Sequence, residues 1–452
     1  MNNSPKEDSG EVEDTHRGGF GDFAGEERGF IDRSFRERIV LAGVSLDGLS
    51  PEKTQLSLEE LERLVDTAGA DAVAQVVQRR ERPDRATFVG RGKADEIRAV
   101  SEYHDADTVV FDNELTPSQQ GNLESILKRS ALDRTALILD IFAQNASSPE
   151  GKAQVELAQL RYRLPRIRRS GKTFSQQGGG IGSRGPGEAQ LEVDRRRLMR
   201  RIRRLESELS KLSGHRATQS KSRSKTSNRS VAIVGYTNAG KSTLLNRLTD
   251  AEVLVEDRLF ATLDTTTRRL QLPGGEAVYI SDTVGFVRNL PHQLVEAFKA
   301  TLDVVVDADL LMHVVDAADN DPEGCIEAVR KVLNSIGAGK IPELLVFNKI
   351  DASSGVEGKL IQRDDNSVMV SAFTGEGIEN LLDQVGILLR KSSRVVRLEV
   401  PFDRGAIRAL AHREGLVLTE IEGISNWEME VQADISSIGR LEEFSVSLEC
   451  EK

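Results

Sequence analysis

Short apolar runs alternate with amphipathic stretches along most of the chain, a pattern typical of α/β folds. Over residues 230–390, each run ends near a glycine or polar residue, as the strands of a parallel sheet do at the edge where ligands bind. These runs are Val231–Val234, Val278–Ser281, Leu310–Asp316, Leu344–Phe347 and Val368–Val370. A helix over Ile378–Leu389 closes this region. The pattern predicts one domain with a mostly parallel sheet.

A smaller α/β domain is predicted over residues 37–150. Its strands are expected at Arg38–Ala42, Ala72–Val77, Thr108–Phe111 and Thr135–Ile141. A capping box at Ser57–Glu60 begins a helix, and a second helix runs through Ile97 and Val100. Strands and helices in this order indicate a domain with its own core.

Residues 151–213 predict two antiparallel helices that form a coiled-coil arm. The first helix spans Lys152–Leu164 and ends at Pro165, because proline breaks a helix. Six glycines within residues 178–187 form the connecting loop. The second helix spans about residues 188–213, and its apolar residues recur at spacings of four and three, as in a coiled-coil seam. They are Leu198, Ile202, Leu205, Leu209 and Leu212.

The remaining segments are simpler. Residues 1–36 have the composition of a disordered acidic tail, and residues 214–229 that of a linker. Residues 391–452 predict a small α/β module with two or three strands and two short helices. Its elements are expected at Val395–Val400, Gly405–Ala411, Leu416–Ile421 and Glu428–Ala433.

Charge is unevenly distributed along the 452 residues, whose net charge is −11. Residues 161–229 hold twenty Lys and Arg against five Asp and Glu, a local surplus of +15. Such a run is either a solvated helix face or a surface for nucleic-acid phosphates. A flexible tip rich in arginine and glycine favours the second interpretation, with structured RNA as the partner.

Cysteine usage and hydropathy limit the cellular compartments in which the protein is expected. Cys325 and Cys450 lie far apart without metal-like spacing, which indicates a reducing cytoplasm rather than a disulfide scaffold. No stretch approaches the ~18 apolar residues of a membrane span, and the polar N-terminus is unlike a signal peptide. With no evident dimerisation segment, we expect a monomer.

The chemistry centres on Gly235–Ser242, which follows a strand and opens a helix, as a phosphate-binding P-loop does. Gly235 and Gly240 let backbone N–H groups converge on phosphate oxygens. Lys241 is expected to contact the β- and γ-phosphates, and Ser242 to bind Mg²⁺. The nucleotide-binding residues of this loop are Gly235, Tyr236, Thr237, Asn238, Ala239, Gly240, Lys241, Ser242 and Thr243.

Two further motifs select guanine over adenine. Asp351 can accept hydrogen bonds from the ring N–H and the exocyclic amine of guanine, which adenine lacks. The stretch after Val370 can offer a backbone N–H to the guanine O6. The predicted base-binding residues are Asn348, Lys349, Ile350 and Asp351, together with Ser371, Ala372 and Phe373.

Two switch motifs complete the expected site. Thr262 is the expected switch threonine on Mg²⁺, Asp282 the carboxylate on the metal side, and Gly285 a backbone donor to the γ-phosphate. Lys241, Thr262 and Gly285 are therefore the predicted catalytic residues, with Ser242 and Thr262 as metal ligands. The motifs comprise Phe260, Ala261, Thr262, Leu263 and Asp264, and then Asp282, Thr283, Val284 and Gly285.

The position after Gly285 holds Phe286, where many GTPases have a glutamine that orients the attacking water. Slow hydrolysis that a partner stimulates is therefore expected, unless His292 orients the water. Asn238 resembles the position at which some P-loop GTPases hold a monovalent cation such as K⁺. The alternative is an asparagine that satisfies its own loop.

A second glycine–lysine stretch, Gly90–Lys93, begins the predicted helix through Ile97. It is either an anion site at a helix N-terminus or a tight turn between strand and helix. Its spacing differs from that of a P-loop.

The GTPase core resembles the Obg–HflX superfamily, and the chain from about residue 38 resembles the HflX family of ribosome-associated GTPases. Inside the core, the resemblance rests on Phe260–Asp264, Asp282–Val287 and Leu290–Lys299. Outside the core it rests on Val89–Lys93, Asp133–Arg134, Gln154–Leu160, Gly178–Gly187 and Gln190–Glu192. Ala189 stands where the family usually has threonine.

The resemblance implies binding to the 50S ribosomal subunit and its rRNA, with the helical arm reaching toward the peptidyl-transferase region. It also implies splitting or rescue of stalled ribosomes under stress, and ATP hydrolysis by the N-terminal region. The alternatives are a GTPase of tRNA modification or ribosome assembly, and a GTP-gated RNA-binding protein with incidental hydrolysis.

Overall fold

The computed structural model describes residues 30–31, 36–46, 51–167, 186–223, 229–249, 258–273, 277–288, 290–291, 294–295, 298–352, 366–391, 393–434 and 445–447. They form two compact units. Unit 1 takes its described residues from Met1–Gln144 and Val155–Leu205, and unit 2 from Asn145–Gln154 and Glu206–Lys452. Across these ranges, no helix has the length and apolar character needed to cross a membrane.

Unit 1 is built on a four-stranded parallel sheet in the order β2-β1-β3-β4. Its strands are β1 (Arg38–Leu46), β2 (Asp71–Arg80), β3 (Thr108–Phe111) and β4 (Ser130–Asp133). Its first four helices are α1 (Pro51–Ala68), α2 (Arg91–Tyr103), α3 (Pro117–Leu127) and α4 (Arg134–Asn145). The central strands β1 and β3 are buried along nearly their whole length, so helices cover the sheet on both faces. The predicted α/β class is confirmed.

The strand predicted at Thr135–Ile141 is wrong, because this run belongs to helix α4. Strand β4 ends at Asp133, whose carboxylate accepts a hydrogen bond from the Ala136 N–H at 3.0 Å and begins the helix. Every residue from Thr135 to Phe142 is buried. A helix that is buried all round has no polar face, so the sequence pattern cannot distinguish it from a buried strand.

Two more helices lie beyond this sheet, α5 (Pro149–Arg163) and α6 (Pro186–Arg223). Helix α6 runs ten residues past its predicted end, so residues 214–223, expected in the linker, are helical. Within unit 1, the Arg201 Nε and Nη2 of α6 donate to the two carboxylate oxygens of Glu156 in α5, at 2.6 and 2.7 Å. The coiled-coil arm itself stays a prediction, and most of its glycine loop lies outside the described residues.

Most of the predicted tail also lies outside the described residues, but its end is packed. Phe30 and Ile31 are buried in unit 1. The Phe30 ring contacts Tyr162 edge to face, with 5.6 Å between ring centroids. Residues at this end therefore contribute to the core of unit 1.

Unit 2 contains a six-stranded sheet in the order β10-β9-β8-β5-β7-β6, parallel except for β6. Its strands are β5 (Arg229–Gly235), β6 (Thr266–Gln271), β7 (Ala277–Asp282), β8 (Leu310–Asp316), β9 (Glu343–Asn348) and β10 (Ser367–Met369). Its helices are α7 (Lys241–Thr249), α8 (Lys299–Val306), α9 (Pro322–Ser335) and α10 (Ile378–Lys391). The predicted strands all form, and their carboxyl ends meet at one edge of the sheet.

The C-terminal module is mainly an antiparallel sheet. Its strands, in the order β12-β13-β11-β14, are β11 (Ser393–Pro401), β12 (Gly415–Glu422), β13 (Asn426–Asp434) and β14 (Ser445–Ser447). Helix α11 (Gly405–Glu414) packs on this sheet. Among the described residues, the helical segments of this module are α11 and a 3-10 turn at Phe402–Arg404, and the predicted element at Glu428–Ala433 is part of strand β13.

Candidate GTP-binding site

The P-loop joins β5 to α7, and two of its glycines are required by close backbone contacts. A Cβ on Gly235 would lie 2.2 Å from the Val314 carbonyl oxygen. Gly240 has a φ of +88°, and a Cβ there would lie 2.3 Å from the Asn348 Nδ2. Side chains cannot be accommodated at either position, so the loop can curl tightly before the helix begins.

Lys241 lies at the start of α7, buried at the floor of this loop. Its Nζ donates a hydrogen bond to the Tyr236 carbonyl at 2.8 Å. Burial lowers the pKa of Lys241 to about 8, although the neighbouring Asp282 raises it. Burial likewise raises the pKa of Asp282, against the effect of Lys241. A buried cation of this kind is stabilised when anionic phosphate enters.

Three side-chain oxygens converge beside Lys241. The Ser242 hydroxyl lies 2.7 Å from the Thr262 Oγ1 and donates to the Asp282 Oδ2 at 2.6 Å. Asp282 also accepts the Thr283 N–H at 2.9 Å, which fixes its carboxylate. Oxygen ligands from hydroxyl and carboxylate groups are those that Mg²⁺ prefers. The two predicted metal ligands are thus brought together, with Asp282 behind them.

Gly285 and Phe286 fasten the second switch motif to the P-loop. The Thr237 N–H donates to the Phe286 carbonyl at 2.8 Å, and the Phe286 N–H to the Gly235 carbonyl at 3.1 Å. A Cβ on Gly285 would lie 2.7 Å from the Thr237 Cγ2 and 3.0 Å from the Lys241 Nζ. The Phe286 ring is buried in the core, so it does not face the cleft. His292 lies outside the described residues.

Thr237 has one polar atom that its own loop does not satisfy. Its Oγ1 is buried and lacks a hydrogen-bond partner among the described residues. Buried hydroxyl groups without partners are rare. Together with the buried Lys241, this orphaned atom fits a loop that is completed by a polar ligand.

The base-recognition residues come together at the ends of β9 and β10. Asn348 donates from Nδ2 to the Ala239 carbonyl and accepts the Ala372 N–H at its Oδ1, both at 2.9 Å. The Ser371 hydroxyl donates to Asp351 at 2.5 Å. Asn348 therefore ties the P-loop to the Ser371–Phe373 turn, while Asp351 is exposed at the edge.

The neighbours of these residues have structural partners. The Lys349 ammonium group pairs with Asp316 at 2.8 Å, and Ile350 begins a short 3-10 turn. Arg247 donates to the Ala372 carbonyl at 3.1 Å and also to the Phe373 carbonyl. Sequence reasoning missed Arg247, because an arginine inside a helix carries no motif of its own.

The first switch motif is placed unevenly around the cleft. The cleft is lined by Phe260, Ala261 and Thr262 of this motif, together with the P-loop and Arg258. Leu263 is buried. The Asp264 carboxylate accepts hydrogen bonds from Ser147 and Ser148 in the short segment between α4 and α5. Burial opposes its ionisation, but these hydrogen bonds lower the pKa of Asp264. Sequence reasoning missed Ser147 and Ser148, which stand more than a hundred residues away.

The second glycine–lysine stretch has a different geometry. Gly90 is extended, with a φ of −66°, and its N–H donates to the Gln78 side chain at 2.9 Å. The Lys93 ammonium group pairs with Glu96 at 2.8 Å. This stretch forms the first turn of α2, and the Gly90 N–H and the Lys93 ammonium group already have partners in unit 1.

A glycine loop before a helix, converging oxygens for a metal ion and an Asn–Asp pair for a base define the class of P-loop GTPases. Three family models match the chain in succession. They are described as GTP-binding GTPase N-terminal over residues 55–143, GTP-binding GTPase Middle Region over 145–223, and 50S ribosome-binding GTPase over 230–349.

Curated relatives assign the chain more narrowly. GTPase HflX of Caldanaerobacter subterraneus is 44% identical, with 91% of this chain and 94% of the relative covered. GTPase HflX of Escherichia coli is 46% identical over 79% of this chain and 85% of the relative. The chain belongs to the HflX family of GTPases, which confirms the resemblance, and its substrate is GTP.

A solved structure is also similar. The GTP-binding protein from Sulfolobus solfataricus in complex with GDP is 25% identical, with a TM-score of 0.41. The match covers 78% of this chain and 99% of that protein.

Proposed function

We propose that this GTPase binds the large ribosomal subunit and its rRNA in the GTP-bound form, and acts in splitting, rescue or recycling of ribosomes under stress. The description of the family model over residues 230–349, 50S ribosome-binding GTPase, supports the partner. The observation that supports contact with RNA is that helix α6 has an apolar face and an arginine face.

The arginine face of α6 suits a polyanion. Ile202 and Leu205 are buried, whereas the arginines between and beside them are exposed. Arginine side chains bind phosphate oxygens through paired N–H groups, and each contact releases counterions from the nucleic acid. The arginine face comprises Arg195, Arg196, Arg197, Arg200, Arg203 and Arg204.

Mg²⁺ is the proposed cofactor of hydrolysis. The oxygens of Ser242 and Thr262, which would hold the ion, lie 2.7 Å apart, and the Asp282 carboxylate lies 2.6 Å from the Ser242 hydroxyl. When bound, the ion would neutralise charge that develops on the phosphates. Lys241 would hold the phosphate oxygens, and the Gly285 N–H would turn toward the γ-phosphate.

Turnover by the free protein is proposed to be slow. The buried Phe286 ring leaves the usual water-orienting position without a polar side chain. The ribosome would supply what is missing, by ordering the switch segments around the nucleotide. Asn238 lines the cleft with a φ of +59°, and we propose K⁺ binding there as an additional source of positive charge. Equal turnover in K⁺ and Na⁺ would contradict the K⁺ site.

Co-sedimentation with purified 50S, 30S and 70S particles tests the proposed partner. Binding would be measured with a non-hydrolysable GTP analogue and with GDP, and GTP turnover would be followed in parallel. We expect binding to 50S that depends on the analogue, together with stimulated turnover. Binding to none of the particles would overturn the ribosome proposal and direct attention to smaller RNAs.

A charge-reversal variant tests the arginine face. We expect R196E/R200E/R203E to lose most 50S binding and to flatten its dependence on salt, because fewer counterions are released. The matched control R63E/R79E/R98E makes the same change in charge at exposed arginines of α1, β2 and α2. Equal loss in both variants would mean that net charge, rather than this face, drives binding.

A further inference from the structure

Residues 145–151 span the junction of α4 and α5, and they hydrogen-bond the first switch motif at two points. At one point, the Asn145 Nδ2 donates to the Phe260 carbonyl at 2.7 Å. At the other, the Asp264 carboxylate accepts from the Ser147 hydroxyl at 2.6 Å and from the Ser148 N–H at 2.8 Å. We call residues 145–151 the clamp segment. All of these residues belong to unit 2.

The hold on Asp264 is dense. Its two oxygens receive four hydrogen bonds, from the backbone N–H and the hydroxyl of both Ser147 and Ser148. The carboxylate also lies at the N-terminus of α5, where the helix dipole favours a negative charge. Four donors on one carboxylate fix both its position and its orientation.

Gly151 makes this approach possible. A Cβ at this position would lie 2.5 Å from the Asp264 Oδ1 and 3.1 Å from the Ser148 Oγ. The Gly151 N–H also donates to the Ser148 hydroxyl at 2.9 Å. Any side chain here would push the Asp264 carboxylate out of its site.

Thr262 lies midway between the two held residues. Its Oγ1 is 2.7 Å from the Ser242 hydroxyl, which in turn donates to Asp282. Holding Phe260 and Asp264, two residues to either side, restricts the backbone that carries Thr262. The side chain therefore stays next to its partner ligand.

We propose that the clamp segment positions Thr262 for GTP, so that Asn145, Ser147, Ser148, Gly151 and Asp264 are positioning residues of the GTPase reaction. This inference rests on the proposed function, in which the γ-phosphate and its metal ion would use Thr262 whereas GDP would not. A ligand that needs one conformation binds more weakly in proportion to the lost population of that conformation. Loosening the clamp therefore weakens GTP binding and leaves GDP binding nearly unchanged.

The test is Gly151→Ala, with Gly405→Ala as the matched control. Gly405 opens helix α11, and a Cβ there meets nothing within 4 Å. Affinities for a non-hydrolysable GTP analogue and for GDP would be measured by displacement of a fluorescent nucleotide at fixed Mg²⁺. For G151A we expect an analogue affinity about 5- to 20-fold lower, with less than a twofold change for GDP. G405A should match the parent protein.

A double-mutant cycle separates positioning from general damage. If the clamp acts through Thr262, G151A should change the ratio of analogue to GDP affinity no further in a Thr262→Ala background. Ser148→Ala, which removes a single hydroxyl, repeats the test should G151A fold poorly. An unchanged affinity ratio, equal losses for both nucleotides, tighter analogue binding or a full effect without the Thr262 hydroxyl would each overturn the proposal.

Discussion

The parallel sheet of unit 1 and the mostly parallel sheet of unit 2 both carry charged residues at the carboxyl ends of their strands, but these charges have different partners. In unit 1, Arg134 follows β4 and binds Glu60 at 2.8 Å and Asp112 at 2.6 Å, with all three side chains buried. In unit 2, Lys241 is also buried but hydrogen-bonds a backbone carbonyl beside an open cleft. Buried charges that pair with one another stabilise the folded protein, whereas a buried cation that borders a cleft can bind an anionic ligand.

The largest effect should come from breaking the closed network with Arg134→Met. Two buried carboxylates would lose their partner, which costs about 3–5 kcal/mol of stability. Hydrogen exchange of β1 and β3 would report this loss in unit 1. GTP affinity should change little once the protein is folded. A specific loss of GTP binding, with exchange unchanged, would erase the distinction between the two sites.

Removing the poised charge by Lys241→Ala should have the reverse signature. We expect GTP affinity to fall by about 100-fold or more, since the loop loses its phosphate-binding cation. Thermal unfolding without nucleotide should change little. Lys93→Ala, at the glycine–lysine turn of unit 1, is the control and should leave GTP affinity unchanged. A comparable loss from that control would mean that both turns serve the nucleotide.

Asp351→Asn sharpens the comparison at the base. Asp351 is exposed, and within the described part of the chain its carboxylate accepts a hydrogen bond only from the Ser371 hydroxyl, so it can still accept hydrogen bonds from guanine. We expect GTP affinity to fall by about 10- to 100-fold, because charge-assisted hydrogen bonds are lost. Affinity for xanthosine triphosphate should rise, since its base presents the complementary acceptor. Unchanged discrimination between the two nucleotides would remove Asp351 from base recognition.

The smallest effect is expected at an ion pair of unit 2 that lies at the other end of its sheet. Burial raises the pKa of Glu343 at the start of β9, but hydrogen bonds from His313 and Arg330 lower it overall. Its contribution to stability is therefore present above the ordinary carboxyl value of 4.5 and is lost as pH falls through the lower folded value. Glu343→Gln should cost about 1 kcal/mol at pH 7.

Urea unfolding of the parent protein and of Glu343→Gln, at neutral and acidic pH, would measure how much the Glu343 charge contributes to stability. The difference between the parent protein and Glu343→Gln should shrink below pH 4.5, as the parent carboxylate takes up its proton. A difference that is constant with pH would mean that the charge of Glu343 contributes nothing. GTP affinity should stay unchanged in this variant.

Local signals predicted most of the residues that the structure brings together around the cleft. The loop at Gly235–Lys241 and the turn at Asn348–Asp351 each follow a strand, and parallel strands bring such turns to a single edge. The same reasoning failed at Thr135–Ile141, where a fully buried helix shows no period. Contacts between residues that are far apart in the sequence could not be predicted from local patterns either. Asp264 meets Ser147 and Ser148 only because the chain folds back.

The backbone hydrogen bonds that join Phe286 to Gly235 and Thr237 limit which substitutions could speed this enzyme. Two hydrogen bonds align position 286 with the loop, and its side chain points into the core rather than toward solvent. Substituting Phe286→Gln would bury an amide instead of delivering it to water. The proposed slow turnover would then follow from the backbone arrangement at position 286 rather than from the Phe286 side chain alone. On that proposal, a single substitution at position 286 would not speed turnover, and a partner would still be needed to order the switch segments.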